Sequence, residues 1–323
     1  MVPAQRLLWF RRAALAGALL AALVVVLGAW VRLTDAGLGC PDWPGCYGHP
    51  YPQAAQGFAK AWHEMIHRYF AGGLVTVTTL LLVLALANRR LPAQPLLPVV
   101  LLFVLIFAQA ALGALTVTEL LKPLIVTSHL LGGLSTLALL WWLALRPPPS
   151  LPAREAVLRA PVLLGAVVLA VQLFLGGWTS TNYAAVACPD LPTCQQSWWP
   201  AMDFQDAFVL WRGLDIDYTG GVLSNAARTA IHMTHRIGAL VAGLTLIAVG
   251  VWAMARGSGQ RRALGVLVVA AVLLQISIGL GMVRLGLPLA VTAAHNAGAA
   301  LLVIVMTALA RSLWPAQKSG VIP

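Results

Sequence analysis

Charge is what this sequence has least of. Only 10% of its 323 residues are Asp, Glu, Lys or Arg, against 60% hydrophobic. A soluble chain of this size could not cover itself with so few polar side chains, so a soluble domain is excluded and the chain reads as an integral membrane protein. Cysteine is scarcer still. The four cysteines are Cys40, Cys46, Cys188 and Cys194, and they fall in two stretches, "GLGCPDWPGC" and "VACPDLPTC". Acidic residues number 10 against 21 basic ones, for a net charge of +11. Such an excess would suit a polyanion, but its distribution has another explanation.

Apolar runs long enough to cross a bilayer as helices, about 20 residues each, fall near 13–31, 65–87, 96–118, 124–145, 160–180, 230–254, 263–283 and 290–313. The first follows Arg6, Arg11 and Arg12 as a secretory signal would, yet it is long and has no convincing small-residue cleavage site before Trp30. It reads as a retained helix. Eight spans put both termini on one side. The termini and even-numbered loops hold Arg6, Arg11, Arg12, Arg89, Arg90, Arg146, Arg154, Arg159, Arg256, Arg261, Arg262, Arg311 and Lys318, most of the basic residues. The positive-inside rule makes those segments cytoplasmic and the cysteine loops external. Helix orientation therefore accounts for the basic excess, and no nucleic-acid partner is expected. Of the acidic residues, Glu155 alone falls on the cytoplasmic side.

The chain repeats. Both cysteines of the first stretch recur after 148 residues (40 to 188, 46 to 194). "HEMIHRYFAGGLV" aligns with "HMTHRIGALV", "QAALGALTV" with "QISIGLGMV", and "SHLLGG" with "AHNAGA". The Pro- and charge-rich segment 145–161 separates two sets of four spans. The expected fold is an all-α integral membrane protein of eight transmembrane helices, arranged as two pseudo-symmetric four-helix bundles (1–150 and 151–323). Both halves cross in the same direction, as parallel repeats do.

Ionisable residues inside spans mark functional sites. His67 and His129 in the first half match His235 and His295 in the second. Facing histidines on two helices of a bundle can clamp a flat cofactor through its iron, which implies one haem site per half. Zinc or copper would want several ligands converging on one centre, whereas these histidines separate into pairs. The halves also differ. Glu64 stands three residues before His67, on the same helix face, where the second half has His232. A carboxylate beside one iron site and not the other points to chemistry in the first half and a permanent redox cofactor in the second. Pairing of Glu64 with Arg68 or Lys60 is the structural alternative. Arg32, Arg68, Arg228, Arg236 and Arg284 lie at outer helix ends, where guanidinium groups could bind haem propionates or simply face the interface.

Five residues and two prolines separate the cysteines of each loop, which suits short disulfides Cys40–Cys46 and Cys188–Cys194 in an oxidising compartment. Covalent haem attachment would need Cys-x-x-Cys-His, which is absent. His49 with Cys40 and Cys46 makes only a partial metal-ligand set. The loops serve as structural clamps, or the first pair carries redox equivalents; both readings stay open. The Trp- and Phe-rich loop 195–229 suits a short amphipathic helix lying in the outer interface over the second haem.

Taken together, "RLTDAGLGCPDWPGC", "EMIHR", "WWPAMDF", "GGVLSNAARTAIHMTHR" and "TAAHNAGA" resemble the haem A synthase family. The resemblance runs from about Arg32 to Ala300. It implies a bacterial inner-membrane oxidoreductase that converts haem O to haem A for cytochrome oxidase. Two successive hydroxylations of a ring methyl would give a geminal diol, which loses water to leave the formyl group. It also implies that substrate haem binds near His67 and His129, that Glu64 is essential, and that His235 and His295 ligate a haem b. The farnesylating haem O synthase is an expected partner, membrane lipid surrounds the chain, and oligomers are open. The rival classes are a b-type cytochrome that carries electrons and a haem transporter or chaperone.

Overall fold

The computed structural model describes residues 3–53, 57–91 and 94–315; Lys318 lies outside them. The described residues form ten α-helices: α1 (Pro3–Leu33), α2 (Phe58–Ala87), α3 (Leu96–Thr118), α4 (Pro123–Ala144), α5 (Ala153–Ala156), α6 (Arg159–Thr181), α7 (Phe204–Ala207), α8 (Asn225–Arg256), α9 (Gln260–Arg284) and α10 (Leu289–Leu313). Eight of these are long and apolar enough to cross a membrane; α5 continues into α6 as one such span, Ala153–Thr181, and α7 is the other short helix. Helix is what such sequences must adopt, because in lipid every backbone N–H and C=O has to be satisfied within the segment. The hydroxyls in the spans follow the same rule: Thr78, Thr136 and Thr245 each donate to the carbonyl four residues back.

The apolar runs underestimate three helices. α1 starts ten residues before its run, α2 seven and α8 five, because amphipathic turns carry the helix beyond the apolar stretch. The Ser224 hydroxyl caps α8 by accepting from Ala227 N at 3.2 Å. His67 therefore lies nine residues, about 14 Å along the axis, from the start of α2. His235 lies ten residues into α8, and His129 and His295 each lie six residues into α4 and α10.

Neighbour relations repeat along the chain. In the first half α1 packs on α2 and α4, and α3 on α2 and α4; in the second, α6 packs on α8 and α10, and α9 on α8 and α10. The halves meet through α4 against α6 and α10, and α1 against α10. Gly177 of α6 lies against Thr127 and Leu130 of α4, and the Thr127 and Thr181 hydroxyls approach to 3.3 Å. Without a hydrophobic drive between helices in lipid, close backbone approach over small residues holds such contacts. Backbone meets backbone closely where α8 packs on α9: a Cβ on Gly265 would lie 2.6 Å from the Gly250 carbonyl. One apolar core runs from Phe10 to Leu313 through both halves, while Leu80, Leu97, Val104, Val167 and Leu244 face outward.

Glu155, the exception in the charge pattern, is fully buried. It pairs with Arg261 and accepts from the Ser258 hydroxyl at 2.6 Å, so it ties α5 to the α8–α9 turn. Its place is set by a buried ion pair and not by topology.

Candidate functional site

Each cysteine stretch folds into the same compact loop. Disulfides join Cys40 to Cys46 and Cys188 to Cys194, with S–S distances of 2.01 and 2.00 Å and all four cysteines buried. The Asp42 carboxylate accepts from Tyr47 N and Gly48 N at 2.6 and 2.7 Å, and Asp190 from Gln195 N and Gln196 N at 2.6 and 3.0 Å. These bonds hold both carboxyls below the usual aspartate range; the Gly48 N–H contributes most at Asp42 and the Thr193 hydroxyl most at Asp190. The arginines that follow His67 in α2 and His235 in α8 each close a loop from below. Arg68 donates to the carbonyls of Asp42 and Gly45, and Arg236 to those of Cys188, Asp190 and Thr193, all within 2.9 Å. Arg68 and Arg236 are thus occupied in holding loops. Arg32 donates to Ser180 O at 2.7 Å and lies over the Tyr183 ring. Arg228 buries an Nε with no partner among the described residues and, like Arg284, lines the cavity below the loops.

That cavity has a volume of about 2110 Å³ and is lined by His67, His129, His235 and His295 together. Pockets for single small molecules are about 300–1,000 Å³, so this one is large enough for two extended planar groups. The His67 and His129 rings face each other edge-on with centroids 6.4 Å apart. Nδ1 of His67, His129 and His295 is buried without a partner among the described residues. Each histidine also sits against a glycine of the preceding long helix. A Cβ would lie 2.9 Å from the His67 ring if placed on Gly28, 3.5 Å from His129 on Gly113, 3.3 Å from His235 on Gly176 and 3.1 Å from His295 on Gly279. Unpartnered imidazole nitrogens, glycine-cleared space and an apolar cavity fit the haem expected from the histidine pattern. Among the described residues no three His, Cys, Asp or Glu side chains converge as a metal-ion site.

Glu64 lines the same cavity and is 4% exposed. Its Oε1 accepts from Arg68 at 2.5 Å and its Oε2 from Cys40 N at 2.9 Å. The pairing with Arg68 is present, and it leaves the carboxylate anchored to the first cysteine loop at the mouth of the first histidine pair. The counterpart His232 is likewise 4% exposed, and its Nδ1 has no partner among the described residues.

A model of the COX15-CtaA family, described as cytochrome oxidase assembly protein, matches residues 11–307. The chain belongs to this family. A Shewanella oneidensis haem A synthase is 40% identical over 334 residues, covering 98% of this chain and 99% of that protein. Haem A synthases of Rhizorhabdus wittichii and Caulobacter vibrioides are 27% and 28% identical over 92% and 89% of the chain, and over 90% and 91% of their own lengths.

In this member of the COX15-CtaA family α8 begins at Asn225, and the loop before it, 195–224, holds one short helix. This is the single turn α7, pinned where Trp178 Nε1 donates to Ala207 O at 2.9 Å. The loop then crosses to the other half: Tyr218 N donates to Leu120 O at 3.2 Å, and the buried Lys122 ammonium lies 4.0 Å from the centre of the Trp211 ring. Lys122 also pairs with Glu119. The glycines facing the histidines were missed from sequence. Their signal was present, because Gly28 and Gly176 are separated by the same 148 residues as the cysteines, and Gly113 and Gly279 by the same 166 as His129 and His295.

Proposed function

We propose that this chain is an oxidoreductase that converts haem O to haem A within the membrane. Near full-length similarity to haem A synthases supports the reaction, whereas no observation favours the electron-carrier or transporter alternatives. The observation that carries the site assignment is the meeting of both histidine pairs in one cavity, with a buried carboxylate at only one of them. We assign the substrate haem to residues 1–150, at His67 and His129, and a resident haem b to residues 151–323, at His235 and His295. Matched helix neighbours support two halves related by an axis along the membrane normal. The cysteine loops lie outside and the termini in the cytoplasm, as the arginine distribution supports. A membrane-bound, apolar substrate also fits delivery by direct contact with the farnesylating haem O synthase.

When bound, haem supplies an iron that can change oxidation state in apolar surroundings. The chain supplies binding, exclusion of water and the handling of protons. The four imidazoles orient the two groups, and the apolar helices exclude water. Glu64, fixed by Cys40 N–H at one oxygen, is placed to take protons at Oε1 as the methyl group is oxidised, with Arg68 balancing its charge.

Extraction of haems from the purified protein tests this. Haem B together with haem O or haem A is expected; haem B alone at two per chain would overturn the synthase reading. His235→Ala and His295→Ala should each remove the resident haem b while leaving the protein inserted, and an unchanged visible spectrum would refute those ligands.

A further inference from the structure

The four histidines share a second pattern, and one of them breaks it. Three residues after His129, His235 and His295 stand Gly132, Gly238 and Gly298, and a glutamine of the preceding long helix lies over each. A Cβ would lie 1.8 Å from Gln109 Nε2 if placed on Gly132, 2.4 Å from Gln172 Oε1 on Gly238 and 2.1 Å from Gln275 Oε1 on Gly298. Each glutamine is four residues, about one helical turn, before the glycine that faces the same histidine: Gln109 with Gly113, Gln172 with Gly176, Gln275 with Gly279. At His67 the facing glycine, Gly28, is kept. The glutamine position four residues earlier is Val24, and the position three residues after the histidine is Phe70. Phenylalanine there leaves no room for an amide, and valine supplies none.

Where the amide is present in the second half it engages its histidine directly. Gln172 Nε2 lies 3.0 Å from His235 Nδ1 and donates to His235 O at 3.1 Å; Gln275 Nε2 donates to His295 O at 3.0 Å and meets the other ring nitrogen, His295 Nε2, at 3.4 Å, so Gln172 alone reaches Nδ1. An imidazole turns about its side-chain bonds unless its second nitrogen is held. A nitrogen that gives its lone pair to iron through Nε2 requires the proton on Nδ1, and Nδ1–H requires an acceptor. Gln172 carries both kinds of group, and its Oε1 is buried with no partner among the described residues. As it stands the carboxamide donates to Nδ1; turned over, it accepts from Nδ1–H through Oε1 and gives up the bond to His235 O.

We infer that Gln172 is a positioning residue that fixes the His235 imidazole, and that its replacement by Val24 and Phe70 at His67 makes the first site the one that releases its haem. The inference rests on the ligand assignment proposed above. It gives a physical reason why one half keeps its group while the other exchanges substrate for product. The hydrogen bond on the second nitrogen adds to ligand basicity and stiffness at His235, and no side-chain amide does the same at His67.

The test uses the full-length protein purified with its haems. Gln172→Val, which copies Val24, should release haem b to apomyoglobin roughly ten- to a hundredfold faster than wild type, the usual cost of removing such a partner. It should also raise the midpoint potential, because a less basic ligand stabilises ferric iron less. Gln172→Glu, a stronger acceptor, should shift the potential the other way. Wild-type release and potential in both variants would overturn the role of Gln172. If His235→Ala kept its haem as well, the ligand assignment itself would have failed; if His235→Ala lost it, only the positioning role would fall. The converse variant, Val24→Gln with Phe70→Gly, should slow release of the first-site haem. Unchanged release there would overturn the explanation of exchange, and this arm holds even if Gln172→Val folds poorly.

Discussion

Glu64 is the residue on which structure and chemistry bear together. Its neighbours, Arg68 and Cys40 N–H, are those of a structural anchor, yet the carboxylate opens on the cavity that holds His67 and His129. Glu64→Gln keeps the shape and one hydrogen bond while removing the base. The variant should fold, retain haem b and bind substrate haem, but make little or no haem A. Chromatography of haems extracted from cells carrying it would show unreacted or hydroxylated haem, and a normal yield of haem A would leave Glu64 as an anchor only. The position stood out in the sequence because the second half has His232 at the same place. Arg68 and Arg236 were less legible. A guanidinium beside an iron-ligand candidate reads as a propionate partner, and only coordinates reveal that loop carbonyls occupy it.

At the scale of elements, the two cysteine loops are alike in construction and unlike in what they touch. Closing so short a loop restricts the unfolded chain and stabilises by about 2 kcal/mol. Cys188→Ser with Cys194→Ser should therefore lower thermal stability with little change in turnover per folded molecule. Cys40→Ser with Cys46→Ser should lower turnover as well, because Cys40 N–H is what positions Glu64. Equal turnover in the two double variants would remove that distinction. The aspartates add a dependence on pH. A carboxyl with a depressed folded-state pKa contributes stability above its ordinary value, about 3.9, and loses it as pH falls through the depressed one. Asp190→Asn should thus destabilise the loop near neutrality and flatten the acid limb of the unfolding profile in detergent; an unchanged limb would show that Asp190 does not couple the loop to pH. The loops were readable because Cys, Pro and Asp recur at fixed spacing. The helix starts of α2 and α8 were not, since amphipathic turns such as Phe58–His63 carry no continuous apolar signal. The path of loop 195–224 was also hidden, because Trp211 finds Lys122 through the tertiary fold and not through any local pattern.

For the whole molecule, the eight spans followed from hydropathy, while the cavity shared by both histidine pairs did not. Sequence spacing defines each pair but not the distance between pairs. One contact between the halves carries a further consequence. Arg32 donates to the carbonyl of Ser180, 148 residues ahead, the same interval that separates Cys40 from Cys188 and Gly28 from Gly176. Equivalent positions of the two halves therefore meet through this side-chain hydrogen bond. Had the protein begun as a pair of identical short chains, that position would have met its own copy, and an arginine in each would have set two guanidinium groups side by side. A single chain can hold arginine on one side and serine on the other, an asymmetry that no self-paired homodimer can encode. Ser180→Arg should accordingly lower the melting temperature by restoring the like-charge pair, and adding Arg32→Ser to it should recover most of the loss; a double variant no better than the single would mean that the two positions are not exchangeable across the joint.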